Sequence, residues 1–517
     1  MVTDIDIPIP VRGVMPHLDR QDVPPDGLID AENFAIIDGI YQVRSGLEAF
    51  ATAVSGRPMA YFQYRHSDGN YRVVKASTTK LYYLNNSLEW TDITDSADPL
   101  TGGPTQQPIF RVFQKAGATW LLMLNPAHTL KKWDGLTSAY TIVGGSPVKA
   151  QSMMVLFDRV LLGNLSSGST INPAAVDVCA NKDFDSGWNS EQTEILSSPP
   201  GDIISMNEFG GNIGAIYKTD GIVNAIAQGA ADPFAFEPKV FNISGPCSAL
   251  SVVWLSDGMH AILCRDGAIR IYDGTSFRFL EDLFNQKRGK YQKQVASKIN
   301  WLTLARSFGF YDQDRRLLFF VYSETGEVNP GIGVMIDMSN GAMWPLRWDT
   351  LRFSAGIKLS AGTGLTIGSL VGTIGAQVLT IGEFSTTPQL LLLLGEENGQ
   401  SYKETGTTDN AAAIIAYEES GLNSLGNKKR FKTLQSIEHY FAKAAAAQEI
   451  TVKIGVSNYG EERVLDAGQT LAIGSSGPYT TGHRKDGRFF SRRYEASATQ
   501  AIKSRGQVAE ITMRSSR

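Results

Sequence analysis

The 517 residues carry 48 Lys and Arg against 52 Asp and Glu, with 42% apolar residues, 19% charged residues and 51 glycines. That length holds one large repeat body or about two to three domains, and the composition excludes a disordered chain or a coiled coil. A formal net charge of -4 is near neutral, so any nucleic-acid or membrane surface has to be a local feature.

In chain order, the opening MVTDIDIPIPVRG has early aspartates, prolines and no apolar run, which argues against a secretory signal and for a cytoplasmic start. Pro24-Pro25-Asp26-Gly27 reads as a turn, and Asp30-Ala31-Glu32-Asn33 as a short segment whose Asn can satisfy backbone groups. A strand then runs to Arg44, just before a turn glycine, Gly46.

The dominant pattern is a hairpin-like phrase that starts on an apolar residue and reaches an aromatic nine or ten positions later. It occurs at Leu81 to Trp90, Leu130 to Tyr140, Ile269 to Phe279 and Val334 to Trp344. Each copy passes through Asn-Asn, Asp-Gly or Asn-Gly, residues that tolerate the positive φ of a tight turn. Further short runs lie between them, at Ala118 to Leu124, Arg159 to Leu162, Ala261 to Cys264 and Arg316 to Tyr322. The first two phrases start 49 residues apart and the last two 65 apart, bracketing the roughly 40 to 50 residues of one propeller blade. One twisted sheet cannot cover both of its apolar faces, so such units stack around a ring. The expected fold is therefore all-β, a β-propeller of about six or seven blades, with paired β-sandwiches as the alternative.

Helical signal is confined to Phe279 to Asn300, where Gly289 favours two short helices over one. Composition turns to Gly, Ser and Thr from Ser354 to Thr387, with Thr-Ile-Gly at Thr366, Thr373 and Thr380, readable as extended repeats or as a linker. No uninterrupted apolar run, the five leucines Leu390 to Leu394 included, approaches the roughly 20 residues that span a bilayer. Domain boundaries follow: 1–50 as an N-terminal arm and first propeller strand, 51–428 as the propeller with the insertion near 354–387, and 429–517 as a small, basic, sandwich-like β domain. From Arg484 onward nine Lys or Arg face three acidic residues. Arg484, Lys485, Arg488, Arg492 and Arg493 are the candidate cluster, either lining a DNA passage or meeting a neighbouring subunit.

Cys179, Cys247 and Cys264 lack metal or disulfide spacing and read as buried apolar side chains. Six scattered histidines form no zinc motif, and no nucleophile elbow, phosphate loop or dinucleotide fingerprint is present. Asp183 with Asp185, and Asp312 with Asp314, could serve a glycosidase, but their turn-like settings suit local backbone bonding better. The expectation is a non-enzyme with no catalytic residue, cofactor or metal.

The phrase from Leu18 to Gly46, the Trp90-Thr91-Asp92-Ile93-Thr94 strand end, Asp266-Gly267, Tyr272-Asp273-Gly274 and the Thr-Ile-Gly units together resemble the nozzle or hub proteins of short-tailed bacteriophage tails. They resemble the related packaged-DNA stabilisation proteins less closely. Family members carry Thr-Ile-Asp where this chain has Thr-Ile-Gly, which puts any role of that acid in doubt. The resemblance implies a virion protein assembled in a bacterial cytoplasm as a ring of identical subunits, usually a hexamer. That ring would close or gate the DNA channel, dock on a tail adaptor, other tail proteins and tail fibres or spikes, and touch the host envelope. The alternatives are a propeller lectin or glycosidase, and a head-proximal plug protein.

Overall fold

The computed structural model describes residues 2–85, 87–145, 147–167, 170–186, 188, 192–228, 232–256, 258–359, 392–425, 432–441, 448–457, 464–473, 477–498 and 502–513. Most of the Gly/Ser/Thr-rich insertion expected near 354–387, with its Thr-Ile-Gly units, lies outside them.

The fold is a β-propeller. Six four-stranded antiparallel sheets follow one another along the chain, spanning Pro58–Asp92, Ile109–Ile142, Lys149–Ile195, Ile203–Phe241, Val252–Phe279 and Phe308–Arg347. They are numbered blades 1 to 6 here. All four hairpin phrases are the outer pair of strands of a blade, in blades 1, 2, 5 and 6. Their turns form as the residue types dictate: Asp273 accepts the amides of Thr275 and Ser276 at 3.0 and 2.7 Å, while Gly274 sits at φ 90. The spacing widens before blade 6 because three short helices intervene, Leu280–Phe284, Lys290–Ala296 and Trp301–Arg306, the first two separated at Gly289 with φ 93.

A composite sheet closes the ring as blade 7. Phe353–Lys358, Leu392–Glu396 and Ser401–Glu404 supply its three inner strands, and Leu47–Phe50 from the start of the chain pairs antiparallel as the outer one. The ring is thus latched by strands more than 350 residues apart, Ser401 opposite Phe50. Buried lysines sit at the blade seams. Lys75 of blade 1 donates to Ser401 Oγ of blade 7 at 3.0 Å and lies 4.2 Å from the Trp90 ring; burial pulls its ammonium down to about 7. Lys218 of blade 4 donates to the carbonyls of Leu196 and Pro199 beside blade 3.

Beyond the propeller two sheets pack as a sandwich. One joins Phe34–Ile37, Ile40–Val43, Lys503–Met513, Lys432–Phe441 and Gly477–Gly487, with Val2–Ile7 alongside Lys503–Met513. The other joins Leu28–Glu32, Ala412–Ser420, Phe489–Ala498 and Gln448–Ser457, and continues through Thr408–Asp409 into blade 7. The division expected from sequence, 1–50, 51–428 and 429–517, is therefore redrawn. Val2–Ile7 and Ile40–Val43 pair with Lys503–Met513, and Ala412–Ser420 pairs with Phe489–Ala498 and carries Leu28–Glu32 on its other side, because the ladder bonds of those strands need partners. One continuous apolar core runs from blades 5 to 7 into the sandwich, with Trp344, Phe353, Tyr402, Ile414 and Tyr494 all buried in it.

Candidate functional site

The residues that carry the N-terminal resemblance converge where propeller meets sandwich. Asn33 adopts φ 61, a left-handed conformation that Asn tolerates better than other side-chain-bearing residues. Its Nδ2 donates to the Ile415 carbonyl of the sandwich at 2.7 Å. Its Oδ1 accepts from Arg44 Nε at 2.9 Å and from the Arg347 amide of blade 6 at 2.8 Å. Arg44 then grips Asp409 with both Nη groups, at 2.9 and 2.5 Å, and donates to the Arg347 carbonyl at 2.9 Å. Its guanidinium lies 5.2 Å from the Trp348 ring. Glu32 adds an ion pair to Arg347 at 3.0 Å, and Arg347 holds Glu324 in turn. Gly46 passes so close to Thr408 that a Cβ would sit 2.2 Å from its carbonyl oxygen, and Gly13 approaches Met343 of blade 6 almost as closely. Glu32, Asn33, Arg44 and Gly46 form one clamp.

The expected basic cluster is split between two sheets. Arg484 and Lys485 lie on Gly477–Gly487, the first exposed and the second partly covered, while Arg492 and Arg493 lie on Phe489–Ala498 of the opposite sheet. Arg488 is partly buried between them. Arg492 and Arg493 do not form a free positive face, which corrects the expectation. Arg492 is 5% exposed and its Nε donates to buried Glu418 at 3.1 Å. Arg493 pairs with Glu419 at 3.3 Å and Glu495 at 2.8 Å, over the Tyr417 ring at 4.3 Å. The physical reason is parity: Phe490, Arg492, Tyr494 and Ala496 alternate onto the inward side of their strand, so Arg492 needs a buried counter-charge.

Arg492 belongs to a polar chain through the sandwich core that sequence reading missed. Tyr41 Oη also donates to Glu418, and the Arg492 guanidinium lies 5.6 Å from the Tyr494 ring. Tyr494 Oη bonds His439 Nδ1, His439 Nε2 bonds Thr481 Oγ1 at 2.9 Å, and Thr481 bonds His483 Nε2 at 2.8 Å. His483 Nδ1 then lies 3.5 Å from Asp466. Glu418 was legible in principle, since it falls on the same inward parity as Ile414 and Ala416 in Ala412–Ser420.

Burial, with the Arg492 charge and then His483 adding to it, lowers His439 to about 3. Burial lowers His260 to about 4, where Tyr217 Oη donates to its Nδ1 at 2.6 Å across the seam of blades 4 and 5. Both stay neutral in the folded protein while the unfolded chain takes up protons below about 6.5. Stability is therefore full above that pH and declines as acid is added, by about 1.4 kcal/mol per pH unit for each histidine until its folded pKa is reached. Burial also lowers His17, to about 4, and lowers His128 and His483, so denaturant unfolding between pH 6 and 4.5 should show a decline of this sign, of which His439→Gln should remove one histidine's share; a flat profile contradicts the assignment.

Three of the four carboxylates weighed for catalysis are tied into blade contacts, and Asp314 is exposed. Lys115 of blade 2 holds Asp183 at 2.6 Å and Asp185 at 3.4 Å, and Lys132 holds Asp185 at 2.5 Å. The Lys115 bond, then Ser186, lowers Asp183 to about 2, which makes it an anion and not a proton donor at neutral pH. Burial pushes the Asp312 carboxyl up, but Arg315 at 2.6 Å and Lys358 at 3.0 Å outweigh it and leave it lowered. All three cysteines are free and buried.

No protein-family model matches the sequence, and no curated protein matches it. Among solved structures the chain is similar to BBS1N in a complex with ARL6DN, at 10% identity and TM-score 0.38, over 71% of this chain and 99% of that one. It is also similar to the extracellular domain of a putative hybrid two component system, BT4673, from B. thetaiotaomicron, at 10% identity and TM-score 0.41; 78% of this chain spans 44% of that one. A quinonprotein alcohol dehydrogenase-like protein, BT1487, from Bacteroides thetaiotaomicron VPI-5482 follows at 10% identity and TM-score 0.34, over 61% and 74% of the two chains.

Proposed function

We propose that the chain is a structural subunit of a short-tailed phage virion, one copy of a closed ring at the tail nozzle or hub that surrounds the DNA channel. The observation that carries this reading is the clamp. The residues that resemble the nozzle family, Glu32, Asn33, Arg44 and Gly46, are the ones that lock sandwich to propeller. A ring that transmits force needs subunits whose parts do not hinge, and two bodies sharing one core and one sheet meet that need. Ring closure needs two different patches that meet head to tail. Among the described residues the outer strands of blades 1 to 5 pair with no further strand and can serve as such patches, and exposed Arg484 can face a neighbour or DNA. The subunit docks and gates and does no covalent chemistry. Light scattering on the purified chain tests this: a mass several times 56.3 kDa is expected, and a monomer at every concentration contradicts it.

A further inference from the structure

Successive blades start from their inner strands, so the residues just before those strands gather at one end of the propeller axis. Arg57 precedes the inner strand of blade 1, Pro58–Arg65, and Arg306 precedes that of blade 6, Phe308–Asp312. Blade 7 lies between them, and its Glu397 is the carboxylate they share. Glu397 Oε2 lies 3.8 Å from Arg57 Nη1, too far for a hydrogen bond, and accepts instead from Asn329 Nδ2. Asn329 Oδ1 in turn accepts from Arg306 Nη1 at 2.6 Å. Two cations thus face one carboxylate.

Arg57 is the anomaly. Its backbone is fixed to Thr78, by Arg57 N to Thr78 Oγ1 at 3.3 Å and Thr78 N to the Arg57 carbonyl at 2.9 Å. Its side chain is 13% exposed, yet Nε and Nη2 are buried with no acceptor among the described residues. Those two atoms form the side-on fork of the guanidinium, the geometry that matches two oxygens of a carboxylate or phosphate. Leaving both donors unanswered is expensive. Burial, then the nearby Arg306 charge, draws the Arg57 guanidinium down to about 10 against the pull of Glu397, as expected for a cation short of anions. The neighbouring Arg352 differs, since it is spent on the carbonyls of Trp348, Asp349 and Leu351.

We propose that Arg57 and Arg306 form a binding site for a small oxyanion of phosphate size at the axial mouth where blades 6, 7 and 1 meet, with Glu397 as its competitor. Glu397 is 44% exposed and can turn into solvent. With Glu397 gone from the Nη1 side, the Arg57 guanidinium swings to bring its buried Nε and Nη2 fork to the mouth, where the anion takes it together with a second contact from Arg306. The site is independent of the ring assembly proposed above.

The test is titration of the full chain with inorganic phosphate, against sodium chloride of equal ionic strength, read by calorimetry and by melting temperature. Saturable binding is expected in the natural protein. It should weaken at least about tenfold in Arg57→Met and in Arg57→Lys, which keeps the charge and loses the fork. It should tighten several-fold in Glu397→Gln. Removing an uncompensated buried cation is compatible with folding, and Arg57→Lys carries the reading should the methionine variant not fold. No effect of phosphate beyond that of chloride, or equal binding in Arg57→Lys and the natural protein, overturns the proposal.

Discussion

Arg44→Ala should destabilise the protein by about 3–5 kcal/mol, because it leaves a buried carboxylate without its cation. Asp409 is 5% exposed and receives both Nη groups of Arg44, so alanine strands its charge in the seam. The same change frees Asn33 Oδ1 from one donor and the Arg347 carbonyl from another, and uncovers Trp348. Arg44→Lys should recover little, since an ammonium cannot present two parallel donors to Asp409 while reaching Asn33. Denaturant unfolding checks both variants, and a midpoint within error of the natural protein for Arg44→Ala would show that the clamp holds nothing.

The second large effect is expected in the sandwich core. Arg492→Ala should cost about 3–5 kcal/mol by leaving Glu418, which is fully buried, in an apolar surround with Tyr41 as its remaining side-chain donor among the described residues. Replacing the whole unit, Tyr41→Phe with Glu418→Met and Arg492→Met, should return most of the loss, because no buried charge or unmet hydroxyl is left behind. Recovery in the triple variant separates a folding role from a surface role. An Arg492→Ala protein of unchanged stability would instead return this arginine to the candidate DNA or subunit surface.

Sequence patterns carried the local architecture far. The Asn-Asn and Asx-Gly turns and the aromatic that follows them mark the outer hairpins of blades 1, 2, 5 and 6, because turn chemistry and alternation are written in adjacent residues. Blades 3 and 4 escaped the pattern. In blade 3 the outer strands Thr170–Val178 and Gln192–Ile195 are separated by the segment that carries Asp183 and Asp185. The latch of Leu47–Phe50 on Ser401–Glu404 had no local signature, since nothing in either strand specifies a partner so distant in sequence. The basic run misled for a related reason: counting charges along the chain ignores which side of a strand each one faces. Arg492 on the inward parity and Arg484 on an exposed position read alike in composition and differ completely in surroundings. Of the clamp, Asn33, Arg44 and Gly46 were legible as a phrase, whereas Asp409 and Arg347 became partners only through the fold.

Single-particle imaging of the purified assembly tests the central reading most directly. A closed ring of identical subunits, each showing a propeller rigidly joined to a sandwich around a central opening, is the predicted picture. Isolated particles of one subunit, or copies whose sandwich takes up varied angles against the propeller, would contradict it.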